Sequence, residues 1–342
     1  MFFPQLYTKT SYSLLQSTIR VTDYIQEAKK SGYSVLAITD QNVLYGVPEF
    51  YQTCIREGIK PIIGAVISYS YEERLYDLLV YAKDTIGYQQ LMQLSSKKMI
   101  QENLLLDDFN ETDHLIFVIP TQHSVKNDFE VAKNFETHWQ SVKSKVAPQD
   151  FYVGVSDTDS EQKWLDFLVK NNESLCALHP IASLREEELF ALETMKHIKE
   201  GSQLPLEELT QQQNRARQGF LLSEKEVMTR FQEADLAKAV EGAQRLANSI
   251  SFEFQFHQKL LPHYPVPENK TAGEYLDELC QIQLSKRLTQ ITPEYQERLT
   301  YELSVIHQMG FDDYFLIVWD VMAFTHQTTS LLEQVAGLLP AR

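Results

Sequence analysis

Along the first two hundred positions the apolar residues follow two alternating rhythms. Val21–Tyr33, VTDYIQEAKKSGY, spaces them at helical intervals, with Thr22 placed to cap the start and Gly32 to end it. Ser34–Asp40, SVLAITD, is a short continuous apolar run, as in a strand buried on both faces. The same two patterns then repeat. Helices are expected over 47–58, with Pro48 in the first turn and Gly58 at the end, and over 87–99, 161–172 and 185–201. Strands are expected over 60–70, 76–84, 114–120, 150–157 and 174–180. This alternation predicts an α/β domain with a mostly parallel sheet, open or closed as a barrel.

From Ser223 onward the strand pattern fades and 223–232 and 235–250 have helical spacing. Gln258–Lys270 carries three prolines and reads as a linker. Two long helices follow over 271–288 and 292–311, the second with Thr292 as cap and Pro293 at its first position. FLIVWDVM (Phe315–Met322) is expected as helix core with Phe315 and Trp319 on one face, and Asp312-Asp313 as its N-cap. The predicted organisation is a first domain over 1–257, a linker over 258–270, a mainly helical second domain over 271–328, and a tail over 329–342.

Composition narrows the function classes. A hydrophobic content of 43% over 342 residues supports more than one packed core. Cys54, Cys176 and Cys280 are too scattered for a disulfide frame or a zinc site, and with no apolar run long enough for a membrane span they point to the cytoplasm. The net charge of −16 repels phosphate at long range, so any contact with DNA has to be local.

Three stretches resemble a known family: YTKTSYSLLQS, then GYSVLAITDQNVLYGVPEFYQTCIREGIKPIIGAVI, then YELSVIHQMGFDDYFLIVWDVM. They are similar to the alpha subunit of bacterial DNA polymerase III, from Leu6 to about Thr325. The resemblance implies a polymerase-and-histidinol-phosphatase (PHP) domain, a distorted α/β barrel, followed by a linker and the start of a polymerase palm. It also implies, for the whole subunit, primer extension from dNTPs with Mg²⁺, and replisome partners including a sliding clamp. In the family a glycine-rich loop, close to Thr-Gly-Ala-Gly-Arg-Gly-Ser-Ala-Ala-Gly-Ser, follows the segment like YFLIVWDVMAF. Here LLEQVAGLLPAR stands there. One permitted set of codons for it spells that loop when read two bases on, so the residues from about Thr329 are expected to be an out-of-frame tail. The palm's catalytic aspartates would lie beyond it, which leaves the 342-residue chain a fragment with no polymerase chemistry of its own.

Active PHP members hold metal ions with imidazole and carboxylate ligands. Their first motif, His-x-His, falls here on Tyr7-Thr8-Lys9, with the accompanying Ser13 in place. Their Thr-Asp-His falls on Thr39-Asp40-Gln41, a Glu on Val66, and a late Asp-x-His on Pro180-Ile181-Ala182, while Gln16 stands where an Asp is common. Only Asp40 keeps a ligand. The pocket is expected to be vestigial, without metal, cofactor or catalytic residue, and Lys9 is expected to pair with Asp40. Two further readings stand beside the polymerase fragment: a stand-alone metal-dependent PHP phosphoesterase, and a non-catalytic scaffold of the replisome.

Overall fold

The computed structural model describes residues 2–101, 103–121, 137–157, 168, 173–201, 219–254, 256, 262–267 and 269–327. The expected helix over 161–172, apart from residue 168, and the tail over 329–342 lie outside them. The chain divides into two compact units, Met1–Phe254 and Gln255–Arg342.

The first unit is built on helices α1 (Val21–Lys30), α2 (Val47–Glu57) and α3 (Thr85–Ile100) and on strands β1 (Val35–Gln41), β2 (Lys60–Tyr71), β3 (Arg74–Ala82), β4 (Leu115–Pro120), β5 (Phe151–Val155) and β6 (Leu175–Ala177). Helix α1 forms because Val21, Tyr24, Ile25 and Ala28 share one buried face. Arg20, not Thr22, occupies its N-cap, with no side-chain capping bond. The six strands form one curled sheet in sequence order. β1–β2, β4–β5 and β5–β6 are parallel, while β2–β3 and β3–β4 are antiparallel. The sheet is therefore mostly parallel, with β3 alone running against the other five strands. Its inversion comes from a two-residue turn at Glu72-Glu73, where φ is 48° and 62°. Turns with positive φ at both central positions match strand twist but favour glycine and asparagine, so two glutamates gave no sign of it.

Residues 5–9 close the curl. The Gln5 N–H donates to Val35 O and the Ala37 N–H to Gln5 O, tying the segment to β1. On its other side the Lys9 N–H donates to Ile181 O and the Ile181 N–H to Tyr7 O. Ile181 opens β7 (Ile181–Ser183), which pairs in parallel with β8 (Gly219–Phe220). Helices α4 (Leu189–Glu200), α5 (Glu224–Glu233) and α6 (Ala237–Ser249) also belong to this unit.

The second unit holds α7 (Ala272–Arg287), α8 (Pro293–Met309) and α9 (Asp312–Gln327). Leu276, Leu303 and Leu316, one from each, form its buried centre. Tyr264 and Val266, from the proline-rich stretch read as linker, pack against it. Two expectations for α9 are corrected. Phe315, Val318, Val321 and Met322 are exposed and only Leu316 is buried, so FLIVWDVM is not core within this unit. Asp312 and Asp313 lie inside the first turn of α9, and their carboxylates bond to His307 and to the Tyr264 N–H instead of capping.

Helix α6 lies so close to β6 that a Cβ on Gly242 would sit 1.7 Å from the carbonyl oxygen of Leu175. Backbone cannot swing aside as a side chain can. Gly242→Ala is expected to lower stability by about 3 kcal/mol, at the upper end of overpacking effects. Urea unfolding of the intact chain measures it, and an unchanged midpoint would contradict this packing.

Candidate functional site

Three segments meet at the end of the curled sheet where β1 and β7 lie beside residues 5–9. Thr39 at the end of β1 takes the Thr8 N–H on its hydroxyl at 2.9 Å and donates back to Thr8 O at 3.0 Å. Ser17 Oγ lies within hydrogen-bond distance of the carbonyls of Lys9 (2.7 Å) and Ala182 (2.9 Å). The positions singled out in the sequence, Tyr7, Lys9, Asp40, Gln41, Val66, Pro180 and Ala182, are thereby gathered around the segment of residues 5–9 and the strands beside it.

Asp40 is the hub. Its side chain is buried, and both carboxylate oxygens are engaged. Oδ1 accepts from the Thr10 N–H (2.6 Å) and from the Ser13 hydroxyl (2.6 Å), and Oδ2 accepts from the Thr10 hydroxyl (2.7 Å). Burial lifts its carboxyl above the ordinary range, while the Ser13 and Thr10 bonds pull it back. The Ser13 oxygen in turn accepts the Gln41 N–H at 3.0 Å. Lys9 turns inward, but its ammonium donates to Gln16 Oε1 at 3.0 Å and not to Asp40. The expected Lys9–Asp40 ion pair is therefore corrected. Three short neutral bonds already satisfy the buried Asp40 carboxylate, and Gln16 offers the Lys9 ammonium a neutral acceptor. Burial lowers the Lys9 pKa, Asp77 raises it again, and Lys199 lowers it further.

Gln41 does not reach Asp40 with its side chain. Its Nε2 donates to the Ser68 hydroxyl (2.7 Å) and to Asp77 Oδ1 (3.0 Å), and Ser68 donates to the same oxygen (2.7 Å). Gln41, Asn42, Ser68, Tyr76, Asp77 and His138 are among the walls of a cavity of about 770 Å³. His138 stacks on Tyr76 with ring centres 3.8 Å apart, and its Nε2 lies 2.5 Å from the Tyr69 hydroxyl. Burial holds its imidazole neutral by pushing its pKa down to about 4. Asp77, Ser68 and His138 escaped the sequence reading. Asp77 faces Ser68 across the β2–β3 pairing, so a correctly placed hairpin would have joined them.

The donor set does not fit a metal centre. Val66 and Ala182 offer no side-chain donor atom, Pro180 none either, and Lys9 brings a positive charge. Among the described residues no group of three or more His, Cys, Asp or Glu side chains is placed to hold a metal ion. His179 is an ordinary buried strand-end residue, its Nε2 bonded to Phe220 O at 3.1 Å and its carbonyl accepting from Gln5 Nε2 at 2.6 Å.

Comparison with known proteins bears on both units. Residues 5–158 match the PHP domain family, and residues 274–336 match the bacterial DNA polymerase III alpha NTPase domain family. The chain is 31% identical over 341 residues to the DNA polymerase III subunit alpha of Halalkalibacterium halodurans, covering 95% of this chain and 30% of that protein. It is also 31% identical over 346 residues to the Bacillus subtilis subunit, covering 96% and 30%. The chain thus spans about 30% of the length of these relatives. Among solved structures, an amidohydrolase from Chromobacterium violaceum superposes with a TM-score of 0.41 at 11% identity, covering 56% of this chain and 96% of that one. A Bacteroides vulgatus two-domain protein with a predicted PHP-like metal-dependent phosphoesterase gives 0.35 at 10% identity, covering 68% and 69%. No described helix is long and apolar enough to cross a membrane.

If Asp40 is the organising acceptor, removing it strands an N–H and two hydroxyls in a buried place. Asp40→Ala is expected to cost about 3 kcal/mol, and Asp40→Asn less than half of that, because one amide oxygen still accepts and the hydroxyls can turn. Urea unfolding of both variants tests this. Equal losses would mean that the charge, not the acceptor count, holds the loop.

Proposed function

We propose that this chain, homologous to DNA polymerase III alpha subunits along 95% of its own length, supplies a PHP region that braces such a subunit and performs no hydrolysis. The observation that carries this is the Asp40 hub. The one metal-ligand type retained among the matched positions has both oxygens engaged by Thr10 and Ser13. A site that gathers metals keeps its carboxylates open toward the ion, whereas this one uses its carboxylate to hold the loop of residues 10–18.

Primer extension, on this proposal, belongs to the subunit as a whole. It is nucleotidyl transfer from dNTPs, assisted by Mg²⁺ held on palm carboxylates. The helical unit corresponds to the start of that palm, and its match over residues 274–336 supports the assignment. A sliding clamp and other replisome subunits would be the partners, and the cytoplasm the setting. The net charge of −16 fits a bracing part better than a DNA channel.

A stand-alone PHP phosphoesterase is the competing reading. It needs imidazoles and carboxylates where Tyr7, Lys9, Gln41, Val66 and Ala182 stand. Two assays separate the proposals. With Mn²⁺ or Zn²⁺ and p-nitrophenyl phosphate, the chain is expected to release no phosphate above a metal-only blank. With primer–template, Mg²⁺ and dNTPs, the 342-residue chain is expected to give no extension. Metal-dependent phosphate release would establish the phosphoesterase. Extension would place polymerase carboxylates within these residues.

A further inference from the structure

We infer that His307 is a doubly protonated clasp holding α7 and α9 to α8, and that the helical unit loosens when this residue loses its proton. His307 lies in the last turn of α8. Its Nδ1 is 2.5 Å from Asp312 Oδ1 on α9, and its Nε2 is 3.1 Å from Asp277 Oδ1 on α7. An ionised carboxylate only accepts, and a neutral imidazole carries a single N–H. With two carboxylates on two ring nitrogens, only the imidazolium can donate in both directions. A neutral ring would set a lone pair against one of the anions. The inference rests on this geometry and is independent of the polymerase assignment.

The surroundings favour the charged ring. The titratable groups facing it are Asp312 from α9 and Asp277 from α7, with Cys280 beside Asp277. Among the described residues, neither carboxylate has a lysine or arginine within ion-pair distance. Gly273 of α7 leaves room beside the ring: a Cβ there would meet Nδ1 and Cε1 at 3.4 Å, in ordinary contact. The hydrogen bond to Asp312 raises the His307 pKa most, burial takes part of that back, and the bond to Asp277 and the charges of both carboxylates raise it further.

The clasp adds to a modest apolar centre. Among the described residues Leu276, Leu303 and Leu316 are buried, with Tyr264, Tyr275, Leu299 and Ile306 among the partly buried side chains packed on them, while Phe315, Val318, Val321 and Met322 on α9 are exposed. Two charge-assisted hydrogen bonds join the same three helices that the leucines join.

A folded pKa raised above that of the unfolded chain has a definite sign. The stabilisation is fully present below the ordinary histidine value of about 6.5, and is lost as pH rises through the higher folded value. The test is an NMR titration of the intact chain, with long-range ¹H–¹⁵N correlation of the imidazole and hydrogen–deuterium exchange in parallel. At about pH 6.5 both ring nitrogens of His307 are expected to be protonated, and the midpoint to lie above the ordinary value. Protection factors across 293–309 are expected to fall by roughly tenfold through that midpoint. Asp312→Asn should move the midpoint down, and His307→Gln should remove the pH dependence of protection. A His307 midpoint at or below the ordinary value would overturn the inference, as would protection unchanged through the midpoint. Both readouts come from the unsubstituted chain, so they decide the matter even if a variant does not fold.

Discussion

The first unit depends on a single extended segment, residues 5–9, being hydrogen-bonded on both sides. β1 takes one edge and β7 the other, and the Tyr81 hydroxyl reaches across to Leu6 O at 2.8 Å. Without this segment β1 and β7 would each present an open edge, and the curled sheet would end in unpaired backbone groups. Once in place, it fixes where the loop over residues 10–18 leaves the sheet. It therefore also fixes which side chains can reach Asp40. Gln5, fully buried, strengthens the junction by donating to the carbonyls of Tyr7 and His179.

That constraint decides what holds the loop around Asp40. In a metal site, the ion balances carboxylate charge and cross-links loops. Here the cross-linking falls to Thr10 and Ser13, which bind the Asp40 oxygens from the loop side, and to Ser17, which spans the carbonyls of Lys9 and Ala182. Neutral donors cannot draw several carboxylates together as a dication does. They can satisfy a single buried carboxylate, and Asp40 is the one they hold. Gln16 and Gln41 follow the same logic: each is a neutral amide in contact with a charged group, Lys9 in one case and Asp77 in the other.

Much of the fold was legible because buried strands announce themselves. SVLAITD, KPIIGAVISYS and HLIFVIP are runs that no exposed segment would carry, and all three are strands. The reversal of direction at Glu72-Glu73 was not legible, because the turn uses residues that tolerate left-handed backbone without favouring it. The convergence of Tyr7, Lys9, Asp40 and Ala182 could be anticipated from the family resemblance, but the partner of Lys9 could not. Charge alone suggested Asp40. Once Thr10 and Ser13 are placed, Asp40 is satisfied by neutral donors, and the ammonium bonds to Gln16. The proline-rich stretch misled in a related way: prolines mark irregular backbone, yet Tyr264 and Val266 within it are apolar and pack on the helical unit.

The two units place charge near their cores differently, and depth decides which solution each can use. Asp40 is 1% exposed, so an ammonium brought to it would have to be stripped of water as well. Hydroxyls and an amide N–H cost far less to bury, and three of them suffice. His307 keeps 34% of its side chain exposed and Asp277 keeps 50%, so an imidazolium between two carboxylates retains part of its hydration. Ionised groups are tolerable there, and their attraction is stronger than it would be in open solvent. Each arrangement follows from the packing around it. Asp40, enclosed between β1 and the loop beside it, is met by neutral donors, whereas three helices around three leucines leave their junction wet enough for charge.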